Sequence, residues 1–147
     1  MPLIRDYVAE HERATNLGGD AVRAIDHGDF DQARELLSKM SAELRTHWQG
    51  EENGIFRVME TDEEYAAYIE PLVREHRGLA DLLATVDVTD DEDQRRIRDA
   101  VRELHEHISK EEDGLFPASL TALSGADWDT AIAAWQEAHP GDSMQTD

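Results

Sequence analysis

Apolar and small residues recur along the chain at alternating spacings of four and three, the period of a helix with one buried face. The first stripe runs Ile4, Val8, His11, Thr15, Gly18, Val22 and Ile25, and Gly28 stops it. Asp29 with Gln32 three residues on reads as a capping box that opens a second helix. Its stripe is Ala33, Leu37, Met40, Leu44, His47, Glu51, Ile55 and Val58. The segment Thr61-Asp62-Glu63-Glu64 is another such start, followed in phase by Tyr65, Ile69, Leu72, His76, Leu79, Leu83 and Val86. Thr89-Asp90-Asp91-Glu92 is a third, leading into Ile97, Val101, Leu104, His107, Glu111 and Leu115. No segment alternates with period two, so no strand is predicted. Four long helices with short turns predict an all-α, up-down antiparallel four-helix bundle.

The end of the chain is less regular. Pro117 must break or kink the fourth helix, and Ser124-Gly125 is a stop signal. Asp127 is positioned to cap a short C-terminal helix carrying Trp128, Ile132 and Trp135. Residues 1–139 are thus expected to form the bundle with its short C-terminal helix, and 140–147 a flexible tail.

Two segments match over fourteen positions without a gap. Residues 43–56 read ELRTHWQGEENGIF and residues 103–116 read ELHEHISKEEDGLF. A shorter match lies upstream of each, Val8-Ala9-Glu10-His11 against Val73-Arg74-Glu75-His76. Each half is therefore a helical hairpin with one histidine on its first helix and an H-x-x-x-E pair on its second. Pairing the hairpins gives approximate two-fold symmetry.

The chemistry follows from where these residues fall. His11, His47, Glu51, His76, His107 and Glu111 all occupy stripe positions where a leucine is expected. An unpaired carboxylate in a core costs several kcal/mol, and desolvation drives it towards its neutral form. A pair of cations satisfies all six residues at once. Residues four apart lie on one helix face, about 6 Å along the axis. The histidine can then bind one metal while the glutamate one turn away reaches across to two. Imidazole with carboxylate suits iron or manganese, whereas four-coordinate zinc needs fewer ligands.

Other polar residues carry plainer readings. His105 points to the far side of its helix and is expected to be solvated; His27 complements a helix end; His139 reads as incidental. Glu52 and Glu112 repeat in both halves, so support of the ligands is open, although exposed acids beside ligands are the plainer account. Glu10 and Glu75 read the same way. Tyr7, one turn before His11, is a candidate pocket residue or metal ligand, and equally the amphipathic end of the core. Ile55-Phe56 and Leu115-Phe116 are expected to seal one end of the bundle, and Trp48 to cover the site or its rim.

Composition narrows the partners. With 147 residues the chain is one domain by length, and no cysteine means no disulfide, thiolate zinc site or iron–sulfur cluster. Thirty-four acids against fourteen bases give a formal charge of −20, which repels nucleic acid and anionic membranes. No apolar run approaches a membrane span and no signal-peptide pattern opens the chain, so a cytoplasmic location is expected.

From about Tyr7 to Phe116 the chain resembles the hemerythrin-like family, the HHE cation-binding domain, most specifically in its two H-x-x-x-E-E-x-G-[I/L]-F segments. The resemblance implies two iron ions in an oxo- or hydroxo-bridged non-haem di-iron centre. It implies Glu51 and Glu111 as bridges, His11 and His47 on one iron, and His76 and His107 on the other. The oxygen-carrying hemerythrins have H-x-x-x-H on the third helix and H-x-x-x-x-D on the fourth. Here Leu72 and Ala80 flank His76 at four residues, and the last carboxylate is Glu111 at four or Glu112 at five. One histidine fewer leaves an extra open position, which favours chemistry with a small oxidant over oxygen carriage. The expected function is catalase-like disproportionation of hydrogen peroxide by a monomer or weak homo-oligomer. The alternatives are reversible O2 or nitric oxide binding for storage, sensing or scavenging, and iron handling.

Overall fold

A computed structural model describes residues 1–144 of the chain, and these are mostly helical, with no strand among them. The elements are α1 (Pro2–Asp26), α2 (Phe30–Asn53), α3 (Ile55–Met59), α4 (Glu63–Thr85), α5 (Asp91–Lys110), a π-helical turn (Glu111–Leu115), α6 (Phe116–Ala122) and α7 (Gly125–Ala138). Each of the four long helices packs against two others, in the ring α1–α2–α4–α5. Glu10, early in α1, meets His47, late in α2, so the first two helices run in opposite directions.

The helix boundaries follow from local chemistry. Gly28 ends α1 with φ +72°, a conformation only glycine adopts without strain. Asp29 caps α2 by accepting from the Gln32 N–H. Two other starts lie one residue later than the sequence pattern places them. Asp62, not Thr61, caps α4, and Asp90, not Thr89, caps α5. In both cases the threonine hydroxyl is engaged elsewhere: Thr61 donates to the Val58 carbonyl and Thr89 to Asp87. The aspartates are the stronger caps because an ionised acceptor holds the orphan N–H groups better. At α7 the cap is Ser124, with Asp127 closing a reciprocal capping box from three residues inside.

Two helices expected to be continuous are interrupted at the same place in the repeat. The second breaks at Gly54, and α3 begins a new axis. The fourth swells into the π turn, after which Pro117 sits in the first turn of α6, where its missing N–H costs nothing.

The core is divided into two apolar clusters. One contains Ala14, Ala21, Ile25, Leu37, Met40, Leu44, Ile97 and Leu104. The other gathers Leu3, Tyr7, Ile55, Phe56, Leu72, Leu115, Phe116 and Trp135, so the Ile55-Phe56 and Leu115-Phe116 pairs do close one end. Between them lies a buried polar layer. α7 packs on α2 and α3, at a spot kept clear by two glycines. A Cβ on Gly50 would lie 3.5 Å from Trp135 Cα, and one on Gly54 would lie 3.1 Å from the Ala131 carbonyl oxygen. Residues 140–144, expected as tail, make a turn in which the Asp142 N–H donates to the His139 carbonyl, and Met144 packs on the second cluster. The rest of that expected tail, 145–147, lies outside the described residues.

Candidate metal centre

α1 carries His11, α2 carries His47 and Glu51, α4 carries His76 and α5 carries His107, while Glu111 opens the π turn. All six are buried, and both glutamates are inaccessible to solvent. They form two groups, His11–His47–Glu51–Glu111 and Glu51–His76–His107–Glu111, within each of which the ligand-type atoms all lie within 4.8 Å of one another. The two glutamates belong to both groups. Glu51 Oε2 is 3.3 Å from His47 Nε2 and 4.0 Å from His11 Nε2, while its Oε1 is 3.4 Å from His76 Nε2. Glu111 Oε1 is 3.1 Å from His11 Nε2, while its Oε2 is 2.7 Å from His107 Nε2 and 3.8 Å from His76 Nε2. Each carboxylate thus turns one oxygen to each pair of imidazoles. Of the two candidates in the second repeat, it is Glu111 that stands at the centre.

The protein leaves much of this layer unsatisfied. All four oxygens of Glu51 and Glu111, and Nε2 of His11 and His47, are buried without a hydrogen bond. His76 Nε2 and His107 Nε2 face each other at 3.0 Å, which requires a proton or a cation between them. Burial, and then the charge of Glu111, push the Glu51 carboxyl well above the usual range. Burial also acts to raise Glu111, but the facing Glu51 carboxyl and the surrounding imidazoles outweigh it and hold it well below. Two facing buried carboxyls split in this way, one kept charged and one driven to protonate, because both cannot ionise side by side without a compensating charge. Six orphaned atoms converging from α1, α2 and the π turn are what a bound cation satisfies, and carboxylate with imidazole is a suitable donor set.

The outer nitrogens are held by carboxylates. The Nδ1–H of His11 donates to Glu112 Oε2 at 2.7 Å, that of His76 to Glu52 Oε2 at 2.7 Å, and that of His47 to Glu10 Oε1 at 2.8 Å. Donation outward leaves the Nε2 lone pair facing the centre and fixes the ring. Glu112 and Glu52 each serve a histidine of the opposite half. His107 Nδ1 breaks the pattern: its counterpart Glu75 stands 3.7 Å away, tied to Lys110, and the nitrogen has no hydrogen bond.

The plain readings of Glu10, Glu52, Glu112 and His139 therefore need correction. Glu10 is buried, not exposed, because Trp135 Nε1 donates to its second oxygen at 2.8 Å. His139 stacks on Trp135 with ring centroids 4.1 Å apart, and its Nε2 lies 3.5 Å from Glu10. Glu52 and Glu112 are half-buried and bonded to ligand-type histidines. The repeat of Glu-His at 10–11 and 75–76, and of Glu-Glu at 51–52 and 111–112, was the signal for the acids. Periodicity placed Trp135 on the short C-terminal helix, but nothing in the sequence tied it or His139 to the centre, since both lie beyond the repeat.

Aromatic rings close the layer. Phe116 stacks on His11 at 6.0 Å, Phe56 on His76 at 5.8 Å, and Trp48 on the His76 ring at 4.6 Å. Tyr7 is buried edge-on to His47 at 5.6 Å, and its hydroxyl has no hydrogen bond. Burial, then the charge of Glu51, raise its phenol well above the ordinary value. His105 is exposed, as expected, and His27 lies at the end of α1, as expected, exposed and bonded to the Arg23 carbonyl.

A family model described as Hemerythrin HHE cation binding domain matches residues 3–119, a span that holds all six centre residues and stops short of α7. No curated protein and no solved structure matches the chain.

Proposed function

The chain belongs to the hemerythrin HHE cation-binding domain family, and on that premise we propose that its buried layer holds two iron ions and disproportionates hydrogen peroxide. His11 and His47 hold one ion, His76 and His107 the other, and Glu51 and Glu111 bridge the two, within a two-fold four-helix bundle. The observation that carries this reading is the set of orphaned atoms: four carboxylate oxygens, common to both groups, and two imidazole nitrogens of the first, all buried and unpaired.

An iron pair would supply the oxidising and reducing equivalents by which one peroxide becomes O2 while a second becomes two waters. The protein's share of the work is positional. Glu112, Glu10 and Glu52 hold the imidazole rings of His11, His47 and His76 in the tautomer that presents Nε2 inward. Phe56, Phe116 and Tyr7 keep bulk water from the layer, so charges inside it act at low dielectric. Leu72 and Ala80, four residues from His76 on either side, offer no further donor, leaving the His76–His107 group with room for an exogenous ligand.

The test is metal analysis and an absorption spectrum of the protein as purified, followed by peroxide in an oxygen electrode. About two irons per chain, near-ultraviolet charge-transfer bands and prompt O2 release are the expected results. Two irons without O2 release would move the function to reversible O2 or nitric oxide binding. A folded protein that takes up no iron would overturn the assignment of the layer.

A further inference from the structure

The two halves of the repeat differ in how their imidazoles meet the surface. A cleft of about 360 Å³ has His76 and His107 in its lining. Trp48, Leu79, Leu82 and Leu104 wall it, and Glu75, Glu103 and Glu106 stand around it. His107, which lines this cleft, keeps its buried Nδ1 without a hydrogen bond.

The first half shows what would close it. His11 and His76 are repeat partners, so two residues further on Arg13 corresponds to Gly78; Glu43 and Glu103 correspond as the first residues of the fourteen-residue match. In the first half Arg13 Nε donates to Glu43 Oε1 at 2.6 Å and joins α1 to α2 at the surface. Behind it Glu10 is pinned by Trp135. In the second half Gly78 has no side chain to reach Glu103, and a Cβ placed there would meet nothing within 4 Å. Glu75, the partner of Glu10, is turned out to Lys110.

We propose that small uncharged ligands reach the metal pair through this cleft at the His76–His107 edge, and that Gly78 keeps it open. The inference rests on the cage being a metal centre. Glu103 and Glu106 in its lining, on a chain of formal charge −20, repel anions and leave neutral molecules unimpeded, while Glu75 is paired with Lys110. The apolar walls and the volume, more than ten times the ~30 Å³ share of one water, suit a diatomic molecule or a peroxide.

Gly78→Arg restores the arm that the first half possesses. The measurement is stopped-flow binding of nitric oxide, a neutral probe, and azide, an anionic one, to the iron-loaded protein, after iron content has been determined for each variant. Gly78→Arg is expected to retain its iron and to bind nitric oxide at least about tenfold more slowly. Gly19→Arg, the same change on α1 outside the lining of the cleft, should stay within about twofold of the parent. A Gly78→Arg protein with full iron and the parent's nitric oxide rate would overturn the entrance while leaving the centre standing. Should that variant fail to fold or to load, Glu103→Gln with Glu106→Gln decides. A several-fold rise in the azide-to-nitric-oxide rate ratio supports the entrance, and an unchanged ratio overturns it. A parent protein without iron would sink the metal reading and the entrance together.

Discussion

Replacing Glu51 by glutamine should have opposite effects on the metal-free and the metal-loaded protein. Both Glu51 oxygens are buried without a hydrogen bond, beside a second carboxylate in the same condition. Glutamine keeps the shape, removes the charge and turns one orphan acceptor into a donor facing Glu111. A buried unsatisfied polar group costs about 1–3 kcal/mol, so the metal-stripped variant should gain about 2 kcal/mol. For a domain of this size that is a rise in Tm of about 4–8 °C. The gain should depend on pH in a definite direction. Burial and Glu111 raise the Glu51 carboxyl in the fold. A raised carboxyl favours folding fully only below its unfolded value of about 4.3, and that favour is lost as pH climbs through the folded value. Glutamine, which mimics the protonated form, should therefore be nearly neutral at about pH 4 and increasingly stabilising towards pH 7 and beyond. With metal the sign reverses. The parent gains about 4 kcal/mol when free metal exceeds its Kd a thousandfold, and a variant lacking one bridge loses most of that. Urea melts of both proteins, chelator-stripped and iron-loaded, at two pH values give all four numbers. A metal-stripped variant less stable than its parent by more than about 1 kcal/mol at pH 7 would refute the claim that the orphaned carboxylates are a net cost to the fold.

Trp135→Phe keeps a ring but removes the donor to Glu10; it should cost about 1.5–3 kcal/mol in urea melts, as expected for a hydrogen bond to a charged group. It should also weaken iron binding about 10–100-fold in a chelator competition, since Glu10 holds His47. Gly54→Ala would bring a Cβ 2.6 Å from the Gly50 carbonyl and 3.1 Å from that of Ala131; a loss of about 1–3 kcal/mol and an altered near-ultraviolet tryptophan signal should follow as α7 lifts. Tyr68→Phe removes the hydroxyl that donates to the Lys110 carbonyl beside the π turn at 2.7 Å. Its side chain is half-exposed, so a loss of about 0.5 kcal/mol by thermal melting is expected.

The long helices and the six centre residues were legible because both rest on periodicity. A stripe position filled by histidine or glutamate stands out against leucine neighbours, and two copies of the motif remove the ambiguity of one. Helix starts were legible only to within a residue, since Thr61-Asp62 and Thr89-Asp90 each offer two capping side chains and the pattern cannot weigh them. The breaks at Gly54 and Glu111 were not legible at all. The same E-E-x-G-[I/L]-F frame ends one helix and bulges the other, because what surrounds each copy differs. At Gly54 the missing side chain admits α7. At Gly114 it admits the Tyr68 hydroxyl, which would lie 2.6 Å from a Cβ. A glycine in sequence announces space without saying what fills it.

That distinction accounts for how a repeated sequence becomes an asymmetric centre. The inner layer depends on positions that both halves share, and there the symmetry holds: each glutamate turns one oxygen to each histidine pair, and Glu112 and Glu52 support His11 and His76 at the same 2.7 Å. One shell further out the neighbours are no longer repeated. α7, beyond the 3–119 span that matches the family, clamps Glu10 through Trp135 and His139, whereas Glu75 is left to the solvent-exposed Lys110. The rigidity of a ligand depends on what holds its partner, so His47 is fixed through a chain of buried bonds while His107 Nδ1 is left without one. Two ions in identical inner cages would then differ in the freedom of their outer imidazoles and in their access to solvent. The division between a supported half and an open half comes from α7 and from Gly78, neither of which lies within the motif that identifies the centre.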